Sequence, residues 1–358
     1  MTDRIEPKPK RGVTRRRIVV GGAAALACPA IWTSAARAET RTLTVRDPGG
    51  PYEKAYSEAF YRPFEKETGI KVTGVVAQAD PVAQIRSMVE TKNYVWDVTL
   101  LAMAAHNTVR EAGFLEELKI EGSSFDDIPP AYRRSTLLGI DVSTVVIAYR
   151  TDTVKRPPET WADVFNVRDL PGRRTMRRNP YQTLDVAALA AGVAPNKLYP
   201  LDYELAYRKL EEIKPSVSIW WTAGAQQSQL FKSGEVDIGQ GWNARVQAAI
   251  DEGAPVAIQW NQNLTSVEGF CILKGGPKVE MAREFLKFCA QPKQQALIAP
   301  YLAYGPANPK SFQFIDPVRA KVLSTYPDYA EMALVIDDDA WGRDITKQLE
   351  RFNTWILG

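Results

Sequence analysis

Histidine occurs once in this 358-residue chain, at His106, and cysteine three times, at Cys28, Cys271 and Cys289. That inventory removes most side-chain catalysis. A Ser-His-Asp triad, a histidine zinc cluster and a histidine-ligated heme all depend on imidazole, and a single histidine in the chain argues against all three. No phosphate-loop motif, C-x-x-C pair or lipase-type G-x-S-x-G occurs. The remaining chemistry is that of binding. Arg245 follows Trp242-Asn243-Ala244, and a guanidinium there can take a carboxylate through two parallel hydrogen bonds; its plain alternative is a solvated residue in the first turn of a helix. Asp337-Asp338-Asp339 concentrates acid but lacks the spaced ligands of a calcium loop. Arg173-Arg174 and Arg177-Arg178 read as a solvated basic face, and His106 as a helix surface residue. Cys271 and Cys289 read as small buried hydrophobes, with a bridge between them the less favoured reading.

The elements that position these residues follow from periodicity. Alternation predicts strands over 41–46, 70–76, 96–102, 142–149, 217–221, 236–240 and 268–273. Apolar stripes predict helices over 51–68, 81–91, 181–191, 201–213, 225–233, 244–252 and 278–290, with another ending at Gly113. This β-α rhythm occurs in two sets and implies an α/β protein with two lobes. Each lobe is an open, mostly parallel sheet flanked by helices, and the cleft between them is a natural ligand site.

The first 38 residues read as an address. Arg15-Arg16-Arg17 precedes an alanine-rich apolar run, and Ala36-Arg37-Ala38 is a cleavage site. The arginine pair before Ile18 resembles a twin-arginine (Tat) export signal. The run is shorter than the ~20 apolar residues that span a bilayer. Lipidation at Cys28 is the weaker reading, because leucine is missing three residues before it and Pro29 follows. Removing these residues takes away eight basic and two acidic groups and turns a formal net charge of +3 into −3. The apparent basicity belongs to the signal, and nothing in the rest points to nucleic acid.

Several segments read together resemble a known family. They are Arg62-Pro63-Phe64-Glu65-Lys66-Glu67-Thr68-Gly69, Val146 to Asp152 followed by Pro158-Glu159-Thr160-Trp161-Ala162-Asp163, Ser233 to Asn243, Ala282 to Phe288, and Ala303-Tyr304-Gly305-Pro306-Ala307-Asn308. Their order and spacing are similar to those of ABC-importer periplasmic solute-binding proteins. The spermidine/putrescine branch, including relatives that bind ω-amino acids such as 4-aminobutyrate, is the one resembled. The resemblance implies a signal peptide over 1–38, an N-lobe from 39–145 and 269–313, and a C-lobe from 146–268 and 314–358. It implies a periplasmic, monomeric, non-enzymatic receptor without cofactor or metal, whose partners are a small amine or amino acid and a membrane permease.

The resemblance also implies site residues. Trp242 matches a stacking tryptophan, Glu268 falls where polyamine binders place a key aspartate, and Tyr304 matches a pocket tyrosine; Asn243, Trp221 and Trp341 complete the set. Glu268 has a hinge salt bridge as its plain alternative, and Trp220-Trp221 has strand core. Trp161 reads as structural. The departures matter as much: Pro180 and Thr183 stand where polyamine binders carry an acidic pair for the second amine, Ala102 and Ala104 replace hydroxyl contacts, and Ser266 replaces a tryptophan. With Arg245 opposite Glu268, the pattern suits a zwitterion better than a dication. A Tat-exported enzyme and a ferric-iron receptor are the rivals; the first lacks a catalytic constellation, the second an adjacent tyrosine pair.

Overall fold

A computed structural model describes residues 41–77 and 81–358; the signal-peptide reading of 1–38 lies outside them. The sheet runs in the order Lys71–Val76, Thr42–Asp47, Val98–Ala102, Val256–Ile272, Leu137–Arg150, Ile238–Trp242, Arg174–Arg177, Val217–Trp221. Its first three strands are parallel, and so are its last three. Between them lie two long antiparallel strands, Leu137–Arg150 and Val256–Ile272. Register shifts interrupt their pairing between Gly139 and Asp141 and between Val145 and Ile147, the kind of irregularity that bends a strand. The two-set rhythm read from the sequence is therefore present, with the sets joined through one sheet. The second long strand begins well before the predicted 268–273, because its polar Asn261 to Ser266 stretch hides the alternation.

Helices cover both parallel sets. Pro51–Tyr56 starts on a proline after Gly50, passes through a π-helical turn at Ser57–Tyr61 and continues as Arg62–Thr68. Gly69 ends it at φ 72°, a left-handed position that costs glycine nothing. Thr160 and Asp163 form a capping box on Trp161–Phe165, and Asn179 and Asp202 cap Pro180–Ala190 and Tyr203–Ile213. A C-terminal helix that the periodicity missed, Asp338–Leu357, is capped by Asp337. Among the described residues no helix is long and apolar enough to cross a membrane.

The cores divide as the strands do. One gathers Phe60, Phe64, Leu100, Phe270 and Phe285. Two others collect on the far side of the long strands, around Trp161, Leu184 and Leu210 and around Trp221, Phe231 and Val246. Ile315, Ala320 and Leu323, assigned by the resemblance to the second lobe, pack in the first core. Trp161 is fully buried, its indole donating to the Gln262 carbonyl at 3.0 Å. Cys271 and Cys289 are buried free thiols. His106 is not at the surface: it is fully buried, its ring nitrogens meeting Thr136 Oγ1 at 2.8 Å and Asn107 Oδ1 at 3.1 Å. Burial lowers its pKa to about 4, so it is a neutral core residue.

Candidate functional site

The ends of four strands, the middles of the two long ones and the starts of three helices converge on a cavity of about 280 Å³. That is at the small end of ligand pockets. Contacts divide its lining into an acid end of Tyr52, Glu268 and Tyr304 and a guanidinium end of Arg177, Gln182 and Trp242; Pro48, Ala102, Ser143, Tyr181, Ser266 and Arg245, whose charge reaches Glu268, complete it. A larger recess of about 390 Å³ lies at Glu117 to Glu121 and Arg133 to Ser135, away from every residue singled out in the sequence.

The acid end is built on the long strands. Glu268 sits in register between Ala102 on one neighbour and Asp141 on the other. Tyr52, at the start of the first helix, donates to Glu268 Oε2 at 2.8 Å, and Tyr56, one turn later, donates to Asp141 Oδ2 at 2.7 Å. An i, i+4 tyrosine pair thus covers a cross-strand pair of carboxyls. Tyr304 packs beside Tyr52, tilted, with ring centroids 6.1 Å apart. Burial raises the pKa of Glu268, opposed by the Tyr52 hydroxyl and by the charges of Arg46 and Arg245. Asp141 is pushed well up, first by burial and then by Glu268. Directly opposed residues stand ~5 Å apart at Cβ. At an effective dielectric constant near 20 two unit charges there repel by about 3 kcal/mol, roughly two pKa units. Full ionisation of both carboxyls is therefore disfavoured.

The guanidinium end is built on irregular backbone. Arg177 closes the strand Arg174–Arg177, its guanidinium 4.8 Å from the Trp242 ring centroid, a cation–π distance. Gln182 Oε1 accepts from both Arg177 Nη1 and the Trp242 indole, each at 3.0 Å. To do so, Gln182 adopts φ 73° inside Pro180–Ala190, where Tyr181 is also non-helical, strain of the kind stored at binding sites. Burial lowers the Arg177 pKa to about 10, so it stays cationic at neutral pH. Arg245 lies in the first turn of Asn243–Asp251 and reaches across Gly224. A Cβ there would come within 2.8 Å of Arg245 Nε, so the glycine leaves room for the guanidinium.

Of the residues expected in the site, Trp242, Glu268, Arg245 and Tyr304 line the cavity. Trp221, Trp341 and Asn243 do not; they stand behind its wall. Trp221 is fully buried and packs edge-on to Trp242 at 4.9 Å, its indole bonded to the Gln240 carbonyl. Trp341 packs on Tyr181, its indole donating to Asp185 at 3.1 Å. Asn243 joins Thr144 N–H to the Ala303 carbonyl, tying the first long strand to the segment before Tyr304. Trp220 packs against Phe352 and Trp355.

Arg177 is the residue that the sequence reading placed wrongly. Its cluster is not one solvated face. Arg173 pairs with Asp237 at 2.8 Å. Arg174 is fully buried, bonding the carbonyls of Val164, Gly172 and Leu170. Arg177 enters the cavity, while Arg178 is exposed. The available signal was its position at a strand's C-terminal end, just before the Asn179-Pro180 helix start. Asp141, Tyr52, Tyr181 and Gln182 were also missed. Asp338 is buried and bonded to Tyr181 at 2.6 Å and to Ser266 at 3.2 Å. Its pKa rises to about 7, chiefly from burial. Among the described residues no group of three His, Cys, Asp or Glu could hold a metal ion.

The profile of the bacterial extracellular solute-binding proteins matches residues 59–331. The chain belongs to that family. This solute-binding protein is 31% identical to the gamma-aminobutyric acid-binding protein of Pseudomonas aeruginosa over 333 residues, 90% of this chain and 93% of that one. It is 20% identical to the spermidine/putrescine-binding periplasmic protein of Escherichia coli K12 over 79% of this chain and 82% of that one. Among solved structures, a GABA receptor superposes with a TM-score of 0.82 at 30% identity, over 88% of this chain and 97% of that one. The solute-binding protein is thus the ligand-capturing component of an ABC transporter, and its α/β two-lobed architecture is that of its relatives.

Proposed function

We propose that this protein captures a short zwitterionic ω-amino acid, 4-aminobutyrate or a close homologue, in the periplasm and delivers it to the permease of an ABC importer. One observation carries the reading: a single carboxylate, Glu268, and two guanidiniums, Arg177 and Arg245, face one small cavity. The ammonium is neutralised by Glu268 and screened from water by the rings of Tyr52 and Tyr304. The carboxylate is held by the guanidiniums over Trp242. A diamine fits poorly, because Glu268 is the only acidic residue among the described residues that line the cavity, and a second ammonium would meet cations. The similarity to proteins named for binding gamma-aminobutyric acid supports the same ligand class.

The remaining assignments belong to this proposal. The chain leaves the cytoplasm through the Tat route and is cleaved after Ala38. Its two lobes, meeting at the long strands, close on the ligand, and no reaction follows. Calorimetry decides: 4-aminobutyrate is expected to bind at least 100-fold more tightly than putrescine. Comparable affinities, or binding of the diamine alone, would overturn the ligand assignment, and mass spectrometry of whatever the freshly purified protein releases would then name the true solute.

A further inference from the structure

One buried carboxyl beside the cavity has no place in its lining. Asp141 is fully buried, does not line the cavity, and lies directly opposite Glu268 across the two long strands. Tyr56 donates to its Oδ2, while its Oδ1 has no hydrogen-bond partner among the described residues. The titratable groups around this pair come from every side. Tyr52 and Tyr56 stand on the first helix, Tyr304 beside the short strand that pairs with Asp141, and Arg245 on the helix opposite. Arg46, on the strand Thr42–Asp47, spends hydrogen bonds on the Leu100 and Ala77 carbonyls. Among the described residues no cation bonds Asp141 itself.

Like charges directly opposed on neighbouring strands destabilise each other, and burial without water compounds the cost. A shared proton removes it. An ammonium docking on Glu268 supplies the missing positive charge from outside and makes that proton dispensable.

We propose that Asp141 and Glu268 hold one proton between them in the empty protein, and that binding of an ammonium-bearing ligand expels it to solvent. The charge balances: the ligand's ammonium enters, the pair ionises, and the proton passes to the buffer. Binding then carries a pH dependence that neither the ligand's own groups nor the arginines explain. The raised carboxyl pKa values at both residues agree with this. Because the ligand prefers the ionised pair, affinity rises with pH, by up to about tenfold per unit, until the pH passes the pKa of the empty pair.

This inference rests on the proposed ligand class, so the test has an arm that needs no ligand. Infrared spectra of the empty protein at pH 7 are expected to show a protonated-carboxyl stretch that Asp141→Asn removes and Asp338→Asn does not. Absence of a band sensitive to Asp141→Asn overturns the shared proton whatever the ligand is. The second arm is calorimetry of 4-aminobutyrate in phosphate and in Tris, whose ionisation enthalpies differ. Wild type is expected to release roughly one proton per ligand at pH 7, while Asp141→Asn, which keeps an acceptor for Tyr56, binds with a nearly pH-independent affinity. No buffer dependence in wild type, or an undiminished one in Asp141→Asn, overturns the proposal. Failure of 4-aminobutyrate to bind at all sinks the ligand reading and leaves the infrared arm to judge the pair.

Discussion

The two ends of the cavity are made differently. The acid end is carried by regular structure: Glu268 and Asp141 sit in strand register, and Tyr52 and Tyr56 approach from one helix face. The guanidinium end is carried by interruptions: a strand terminus at Arg177, a first helical turn at Arg245 and the positive φ of Gln182. The contrast separates two tasks. Neutralising a desolvated ammonium requires a charge and apolar walls, which a sheet interior supplies. Recognising a planar carboxylate requires guanidiniums at set angles, which strand ends and helix starts supply.

If the two ends do separate work, their variants should separate too. The largest effect is expected at Glu268→Ala, which leaves the ammonium unpaired in the cavity. Affinity for 4-aminobutyrate should fall by 100-fold or more, about 3 kcal/mol, in a calorimetric titration. Arg245→Ala and Arg177→Ala should each weaken it roughly 10- to 50-fold, as expected for lost hydrogen bonds to a charged group, while leaving putrescine unweakened. Equal losses for both ligands would collapse the distinction between the ends.

Asp338 tests the wall behind Tyr181 and Ser266. Its folded pKa of about 7 lies above the unfolded 3.8, so the native state holds the proton more tightly. Its contribution to stability is greatest below pH ~4 and is lost as pH rises through 7. Asp338→Asn should therefore melt a few degrees higher than wild type at pH 8, with the gap closing toward pH 4; a constant gap across that range would contradict the assignment. The smallest effect is expected at Gln182→Gly. Glycine accepts φ 73° without cost but removes the acceptor shared by Arg177 and Trp242. About a threefold loss of 4-aminobutyrate affinity with little change in melting temperature would show that the clamp orients Arg177 rather than supporting the fold.

Each end was half legible in sequence, through Trp242 and Arg245 at one and Glu268 and Tyr304 at the other. Glu268 and Tyr304 stand in segments whose neighbours are apolar and whose spacing matches a familiar pattern. Asp141 was not, since a carboxyl in an apolar strand gives no sign of what lies opposite until strand pairing is known. Arg177 was lost for another reason. Charge runs are read as one surface, yet alternation sends neighbouring strand residues to opposite faces, and here the four arginines have separate fates. The helix order was readable from apolar stripes. The C-terminal helix was not, because Asp338–Leu357 is mostly polar and buries only Trp341, Phe352 and two polar side chains. Trp341 illustrates a general limit: sequence marks a large aromatic as valuable without saying which side of a cavity wall it occupies.

The two long strands have one more consequence. They pass from one core to the others, and Glu268 and Asp141 sit on them between the two register shifts or beside one. In the proposed lobe closure the acid end would lie at the fulcrum and the guanidinium end on an arm. Rotation about a fulcrum scarcely displaces what stands on it, whereas travel along an arm grows with distance. The ammonium socket would then be ready before any movement, with the swing left to bring the arginines home. A solute would be caught first by its amine and judged afterwards by its length.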